Sequence, residues 1–513
     1  MRKRLSFILL MLPFLSKGQN DVAINPSLFW HGESYLINAA TDTQTMVCSW
    51  MKLTNLSNAL VNIMTARSSD GGNTWTQVQS MPSPNSGWTN ADPTMIRRSN
   101  GNIGLAYIHF KTSLDSGKIY YRETTDAGLT WSNPVEAFDV SETSDIGIDR
   151  PWLATDRSGG SFDGRIYMVT KSHKDAPVPK RLHIKHSDDG INWQGPRRLD
   201  SLINVGIPAS MGTPAVGADG AFYTAYLSYD PPNNLFIRFI ILKSTDGGLN
   251  FSPYVMEILP LSSASQPADS LYQYSYSLVA HPNDPAKLFF AYTDRRNGDL
   301  DILGMYSHDG GQTWQSCGRI NDDGLTNGIG QDMCWAYWSE DGTLSVAWRD
   351  RRQSGSGGSS PYRIAAAVSY NNGVSFSVNQ FISQSQGNLM IPIDGNDFLG
   401  LSANGNTVRS TWTDKRTNIN QIYYNRTYFP PAITSSETKP EDNTLVSNGA
   451  GAWQISRKTG DSYQWQLYSI TGSLLREGRG AGSLSLENLD LSEGQYLLRM
   501  ISSEKITNFN LRK

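Results

Sequence analysis

One short pattern recurs six times along the 513-residue chain, and it constrains the fold more than any other feature. It reads SSDGGNTW (68–75), TTDAGLTW (124–131), HSDDGINW (186–193), STDGGLNF (244–251), SHDGGQTW (307–314) and SYNNGVSF (369–376). Successive copies start 56, 62, 58, 63 and 62 residues apart. Recurrence at a nearly constant period marks a repeat architecture. The residue types describe a hairpin turn. An Asp accepts N–H bonds across the turn, a Gly takes positive φ, a Ser or Thr closes a second local bond, and a Trp or Phe packs beneath. The acidic positions are read as Asp70, Asp126, Asp188, Asp246 and Asp309, with Asn371 in the sixth copy, and all six are assigned to structure.

Each period holds four strand-like runs bounded by Gly, Asn, Asp and Pro, as in Tyr274–Ala280, Lys287–Asp294 and Asp301–Ser307 of the fifth unit. Four antiparallel strands repeated radially describe an all-β propeller. Residues 397–429 supply three more strands, and Val22–Trp30 supplies a fourth that would close the ring. Seven blades follow, with six as the alternative.

The ends of the chain differ from its body. Arg2, Lys3 and Arg4 precede an apolar run, Leu5–Leu15, and the small residues Ser16 and Gly18, so residues 1–18 read as a signal peptide. The apolar run is too short to span a bilayer, which takes roughly 20 residues. The propeller covers residues 19–430. Residues 431–442 are a Pro-, Ser-, Thr- and Glu-rich linker, and 443–513 form a small C-terminal β-sandwich of alternating strands. A net charge of −3 offers no general attraction to nucleic acid. The three cysteines, Cys48, Cys317 and Cys334, fit no metal motif and read as buried apolar residues. The seven histidines show no metal-ligand spacing and no cofactor is expected. Asn321-Asp322-Asp323-Gly324 and the Asp clusters offer oxygen ligands for a structural calcium ion, without EF-hand spacing.

Propeller geometry places chemistry at one mouth of the central channel, where innermost strands start and second strands end. Glu33, Asp92, Asp149 with Arg150, Asp332 and Asp397 stand at the starts of innermost strands. A recurring Asp-Arg/Lys-Arg leaves the second strands at 294–296, 350–352 and 414–416, which brings Arg295, Arg351 and Arg416 to one sector. Guanidinium groups pair bidentately with a carboxylate, so an acidic sugar suits such a cluster. The same motif equally describes a turn lock, in which Asp accepts N–H bonds and Arg bridges neighbouring blades.

The six boxes at this spacing resemble the sialidase-like, or BNR-repeat, superfamily over about four-fifths of the chain. That resemblance implies glycan substrates and, for catalytic members, an arginine triad, a Tyr nucleophile with a Glu partner, and an Asp acid. Carried over by position, Asp149 is the acid, Arg150, Arg295 and Arg351 the clamp, and Tyr274 or Tyr276 the nucleophile. The family's Arg-Ile-Pro is replaced here by FWHGESYLINAA (29–40). The tail resembles the C-terminal sorting domain of the type IX secretion system of Gram-negative bacteria. LYSITGSLLREG, GQYLLRM and the basic end Leu511-Arg512-Lys513 carry the match; the usual Pro-Asn-Pro opening is absent. The resemblance implies export to the cell surface or medium, with the outer-membrane secretion machinery as partner. Two readings stay open: a secreted exo-sialidase-type glycoside hydrolase, and a non-catalytic propeller that binds glycan or protein.

Overall fold

The computed structural model describes residues 20–430 except 40–43, 56, 58, 112, 114–115, 144–147, 173–180, 203–206, 231–234, 259–275, 355–360 and 388–397. Beyond these it describes residues 443–447, 453–457, 462–469, 474–486, 491, 495–502 and 506–512. The chain divides into two compact units, Met1–Phe429 and Pro430–Lys513.

The first unit is all-β. Among its described residues are seven four-stranded antiparallel sheets. In the first, His31–Asn38, Met46–Asn55, Leu60–Ser68 and Thr76–Met81 pair in chain order. The next five follow the same plan, with inner strands Thr89–Arg97, Asp149–Thr155, Ile207–Val216, Tyr276–Ala280 and Gln331–Trp338. In the seventh, Gly400–Asn404, Thr407–Asp414 and Gln421–Tyr428 are completed by Val22–Ile24 from the other end of the chain, with Val22 opposite Tyr424. Each inner strand touches the next, and the seventh touches the first, so the sheets form a closed ring. Asp21 secures the closing strand. Its carboxylate accepts bonds from Asn425, Arg416 and the backbone N–H groups of Gln384 and Ser385, at 2.7–3.1 Å.

Stacked sheets change which residues are buried. A blade lies between two others, so its middle strands bury both faces. Every residue of Leu288–Asp294 and of Leu344–Asp350 is buried, whereas the outermost Gln194–Arg198 is largely exposed. The alternation expected from sequence therefore gives way to continuous burial in the middle strands, polar residues such as Ser345 and Arg349 included.

All six boxes join third to fourth strands. In the first, Asp70 accepts from the Thr74 N–H, the Thr74 hydroxyl and the Ser68 hydroxyl at 2.6–2.9 Å, while Ser68 accepts from the Gly72 N–H at 2.8 Å. The third box is one residue tighter, and Asp188 is not its acid. Asp189 takes the N–H groups of Ile191 and Asn192 and the Ser187 hydroxyl at 2.7–3.0 Å; Asp188 instead pairs with Arg165 at the surface.

Each box also docks on the preceding sheet, which the turn pattern alone did not reveal. Tyr424 donates to Gly71, Gln79 to Gly128, Arg98 to the Asp188 carbonyl, Arg165 to Gly247 and Lys243 to Gly310, all at 2.8–3.0 Å. His308 reaches the Asn372 carbonyl at 3.3 Å. Gly72 (φ +89°) lies so close to the Tyr424 ring that a Cβ would sit 2.0 Å from it. Glycine is thus required there by both conformation and space.

The second unit has two sheets. One pairs Asn443–Ser447, Trp453–Arg457 and Leu484–Leu486; the other orders Leu474–Ala481, Ser462–Ser469, Gln495–Ser502 and Ile506–Arg512. Trp453, Ile455, Leu467, Leu498 and Leu511 form its core.

Two predictions follow from the boxes. Asp189→Ala removes four satisfied bonds and should cost about 1–3 kcal/mol in urea unfolding, whereas Asp188→Ala, which loses one surface pair, should cost under about 1 kcal/mol. The Asn250 N–H, against the opposing effect of burial, helps hold Asp246 at about 2, and Asp70, Asp126, Asp189 and Asp309 are also lowered. A lowered carboxyl stabilises the fold above its unfolded value near pH 4 and loses that contribution as pH falls toward 2. Thermal unfolding followed across that window should show a steep decline in the midpoint.

Candidate functional site

Five inner strands break register near their starts; beside the break between Pro208 and Gly212, four share one form of bulge, between Gly32 and Tyr35, Ala91 and Thr94, Asp149 and Trp152, and Asp332 and Trp335. At each of these four a non-glycine residue adopts positive φ: Glu33 (48°), Asp92 (52°), Arg150 (51°) and Met333 (53°). Such a conformation costs about 1–3 kcal/mol per residue and persists where the surroundings enforce it. Bulges re-aim side chains. The Asp92-Pro93 and Arg150-Pro151 dipeptides carried a sequence signal for them, because proline within a sheet is confined to edges, strand starts and bulges.

The first three bulges bring their charged residues together. Asp92 hydrogen-bonds the side chains of both Glu33 and Asp149. Its Oδ2 also accepts the Arg150 N–H at 3.0 Å. Lys171, at the end of the second strand of the third sheet, places Nζ 3.0 Å from Asp149 and donates to the Ser172 carbonyl at 2.9 Å. All five residues are buried, at 2–8% exposure. Burial, then the charge of Asp149, pushes the Asp92 carboxyl up to about 7. Burial lowers Lys171, and Asp149 opposes that shift. The cluster therefore shares protons among its three carboxyls as the pH approaches 7, with the Lys171 amine beside Asp149.

The sixth sheet uses its bulge differently. Arg349 binds Asp332 through Nε and Nη2 at 2.7 and 2.6 Å, and Arg351 adds a bond to Oδ2 at 3.0 Å and one to the Gly330 carbonyl at 3.2 Å. Asp332, Arg349 and Arg351 are 0–1% exposed. Burial raises the Asp332 carboxyl, but Arg349 and Arg351 overcome it and hold the group at about 2.

The Asp-Arg/Lys-Arg motif is a self-clasping turn. Asp350 accepts the indole N–H of Trp348, the N–H of Arg352 and the Arg352 guanidinium at 2.8–3.0 Å. Asp414 does the same with Trp412 and Arg416, and Asp294 with Arg296. The outer guanidiniums reach farther: Arg352 binds Asp322, which follows the fifth sheet, at 2.6 Å, and Arg416 binds Asp21 at the start of the closing strand at 2.7 Å. Two sequence expectations are corrected here. Arg351 is committed to Asp332 and Gly330 rather than offered to a ligand, and Arg416 is a ring-closing residue. Arg295 is half-buried on the corresponding turn of the fifth sheet.

Tyr276 is corrected too: it is core. It is 0% exposed, packs against Phe239 and Phe290, and donates its hydroxyl to the Met211 carbonyl at 2.6 Å. Tyr274 and Asp397 lie outside the described residues. In the proposed calcium stretch, Asp322 is paired with Arg352 and Asp323 accepts from Asn321, Asn327 and Gln331. Among the described residues no group of three or more His, Cys, Asp and Glu is arranged to hold a metal ion, and no helix is long and apolar enough to cross a membrane. Lys171 and Glu33 complete the acidic cluster. Lys171 escaped sequence reasoning because a single Lys inside an apolar strand carries no motif.

Residues 305–316 match the family model of the BNR/Asp-box repeat. No curated protein sequence matches the chain. Several solved structures are similar to it. An α-L-arabinofuranosidase of Fusarium graminearum, in complex with arabinobiose, is 13% identical with a TM-score of 0.46, over 80% of this chain and 97% of that one. A protein of unknown function from Dyadobacter fermentans is 17% identical with a TM-score of 0.45, over 69% of this chain and 98% of that one. The sialidase of Trypanosoma rangeli is 11% identical with a TM-score of 0.42, over 96% of this chain and 87% of that one.

Asp332→Asn should leave two buried guanidiniums short of a counter-charge. A loss of about 3–5 kcal/mol is expected in denaturant unfolding, because stranding a buried charge costs far more than the intact pair contributes.

Proposed function

We propose that this chain is a glycan-acting propeller of glycoside hydrolase type, with Asp92 as the proton donor. The carrying observation is the buried Asp92–Asp149 pair, in which Asp92 keeps its proton up to about pH 7. Glycosidic cleavage needs a carboxylic acid that is still protonated at working pH to protonate the leaving oxygen. Lys171 supplies the counter-charge that lets Asp149 accept the Asp92 proton bond without building up negative charge. Two hydrogen-bonded carboxyls are closer together than the roughly 5–9.5 Å that separates the two carboxyls of ordinary glycosidases. The pair therefore serves as one acid, and the group that attacks the anomeric carbon comes from outside it. The exo-sialidase form of the reading needs an arginine clamp built on Arg150 and Arg295, since Arg351 is occupied.

A second reading is favoured by the fate of the motif arginines. Arg351, Arg352 and Arg416 are all spent on structural ion pairs, as suits a propeller that binds glycan without cleaving it. In that case Asp92, Asp149 and Glu33 accept bonds from sugar hydroxyls. The resemblances of residues 1–18 and 443–513 support export, through the signal peptide and the outer-membrane secretion machinery, to the cell surface or medium. Fractionation of cells producing the full chain, with and without residues 443–513, tests that part; retention of both forms inside the cell sinks it.

The purified mature chain should hydrolyse at least one of a set of fluorogenic glycosides that includes an α-sialoside and an α-L-arabinofuranoside. The rate should fall as pH rises through about 7, because the acid loses its proton there. Asp92→Asn should lower kcat by about 10²–10⁴-fold with an unchanged unfolding transition. Absence of hydrolysis throughout, together with glycan binding that Asp92→Asn weakens, would establish the binding reading instead.

A further inference from the structure

The central channel is layered along the inner strands. Glu33, Asp92, Asp149 and Asp332 come first on their strands. Two or three residues later, Tyr35, Trp152 and Trp335 meet, joined by Phe398, with ring centroids 5.0–6.3 Å apart. This aromatic layer separates the acidic mouth from a cavity of about 240 Å³ that occupies the second half of the same strands. The cavity has Tyr35, Trp335 and Tyr337 in its lining, each only half-buried. Trp335 and Tyr337 are two residues apart and so face the channel together. Farther along, Arg97 of the second sheet, Arg157 after the third and Glu340 after the sixth form its rim. Glu340 bridges both arginines across the ring, with Arg157 at 2.8 Å and Arg97 in direct contact. Their side chains remain exposed, Arg97 at 16%, Arg157 at 32% and Glu340 at 53%.

We infer that this cavity, on the Asp-box side of the ring, is a second ligand site that takes a single acidic sugar ring. Three features select that class. Two guanidiniums face one carboxylate, so the rim carries excess positive charge and a planar fork that fits a second carboxylate. The half-exposed aromatic rings offer flat apolar faces to a ring-shaped ligand, with polar side chains such as Asn38 and Thr213 also in the lining. The volume falls below the roughly 300–1,000 Å³ of drug-sized sites, which suits one sugar ring and excludes a nucleotide or an oligosaccharide. In the loaded site the ligand carboxylate takes over guanidinium donors that Glu340 now holds, and Glu340, the most exposed of the three, turns to solvent. The site is independent of the acidic mouth, and so of the hydrolase reading.

The test is titration of the full mature chain with D-glucuronate and D-galacturonate, followed by calorimetry and tryptophan fluorescence, with D-glucose and D-galactose as neutral controls. Uronate binding should perturb the fluorescence and weaken with salt. Arg157→Gln, at a partly exposed position that tolerates change, should weaken it at least tenfold. Glu340→Gln should strengthen it several-fold by freeing both arginines, and Asp92→Asn should leave it unchanged. Equal binding of the neutral sugars, no uronate binding at millimolar concentration, or indifference to Arg157→Gln would each overturn the assignment.

Discussion

The contact on which the rest of this structure depends is the docking of each Asp-box on the sheet before it. Within a box, an Asp, or Asn371 in the sixth, satisfies the N–H groups of its own turn. Between boxes and sheets, a side chain of the preceding blade donates to a backbone carbonyl of the turn, six times around the ring. The turn must therefore be rigid and lie flat against a neighbour, which Gly72 under Tyr424 illustrates. Because the first box docks on the seventh sheet, this contact also helps to close the ring, together with the N-terminal strand and Asp21.

With the sheets held from the outside, the inner strands can tolerate strain. Four of them place a non-glycine residue at positive φ in the same bulge. The shared backbone device serves different chemistry by substitution alone. Glu33, Asp92 and Arg150 enter a charged cluster in the first three sheets, while the sixth sheet carries Met333 and locks its preceding Asp332 between two arginines. The acidic residue before the bulge in the third sheet, Asp149, is balanced by Lys171, and Asp92 hydrogen-bonds both it and Glu33. Below the bulges, the same strands supply an aromatic layer and then a charged rim, so one channel carries two environments of opposite character.

Much of this organisation was legible in the sequence. The box spacing led to the repeated four-stranded unit, and Val22 to the closing strand, because a turn pattern and an alternation of residue types are local properties. The acidic positions Glu33, Asp92, Asp149 and Asp332 were expected at strand starts and lie there, but Asp332 is sealed between two arginines. The partners of those groups were not. Arg351 looks like Arg295 in the sequence, yet its guanidinium is held by Asp332, 19 residues earlier. Tyr276 had the position of a nucleophile, but its hydroxyl is consumed by a backbone carbonyl of the neighbouring sheet. Asp188 and Asp189 are adjacent, and only the tighter turn decides which of them caps it.

The sequence by itself thus determined the repeating turn, the all-β class and the residues that face one end of the ring. These depend on conformational preference and periodicity, which act over a few residues. The tertiary structure alone decided which charges are spent and which remain available. Pairing is set by side chains far apart in the chain, and burial then decides their protonation: Asp332 is held ionised and sealed between Arg349 and Arg351, whereas Asp92, brought against Asp149 away from water, keeps a proton near pH 7.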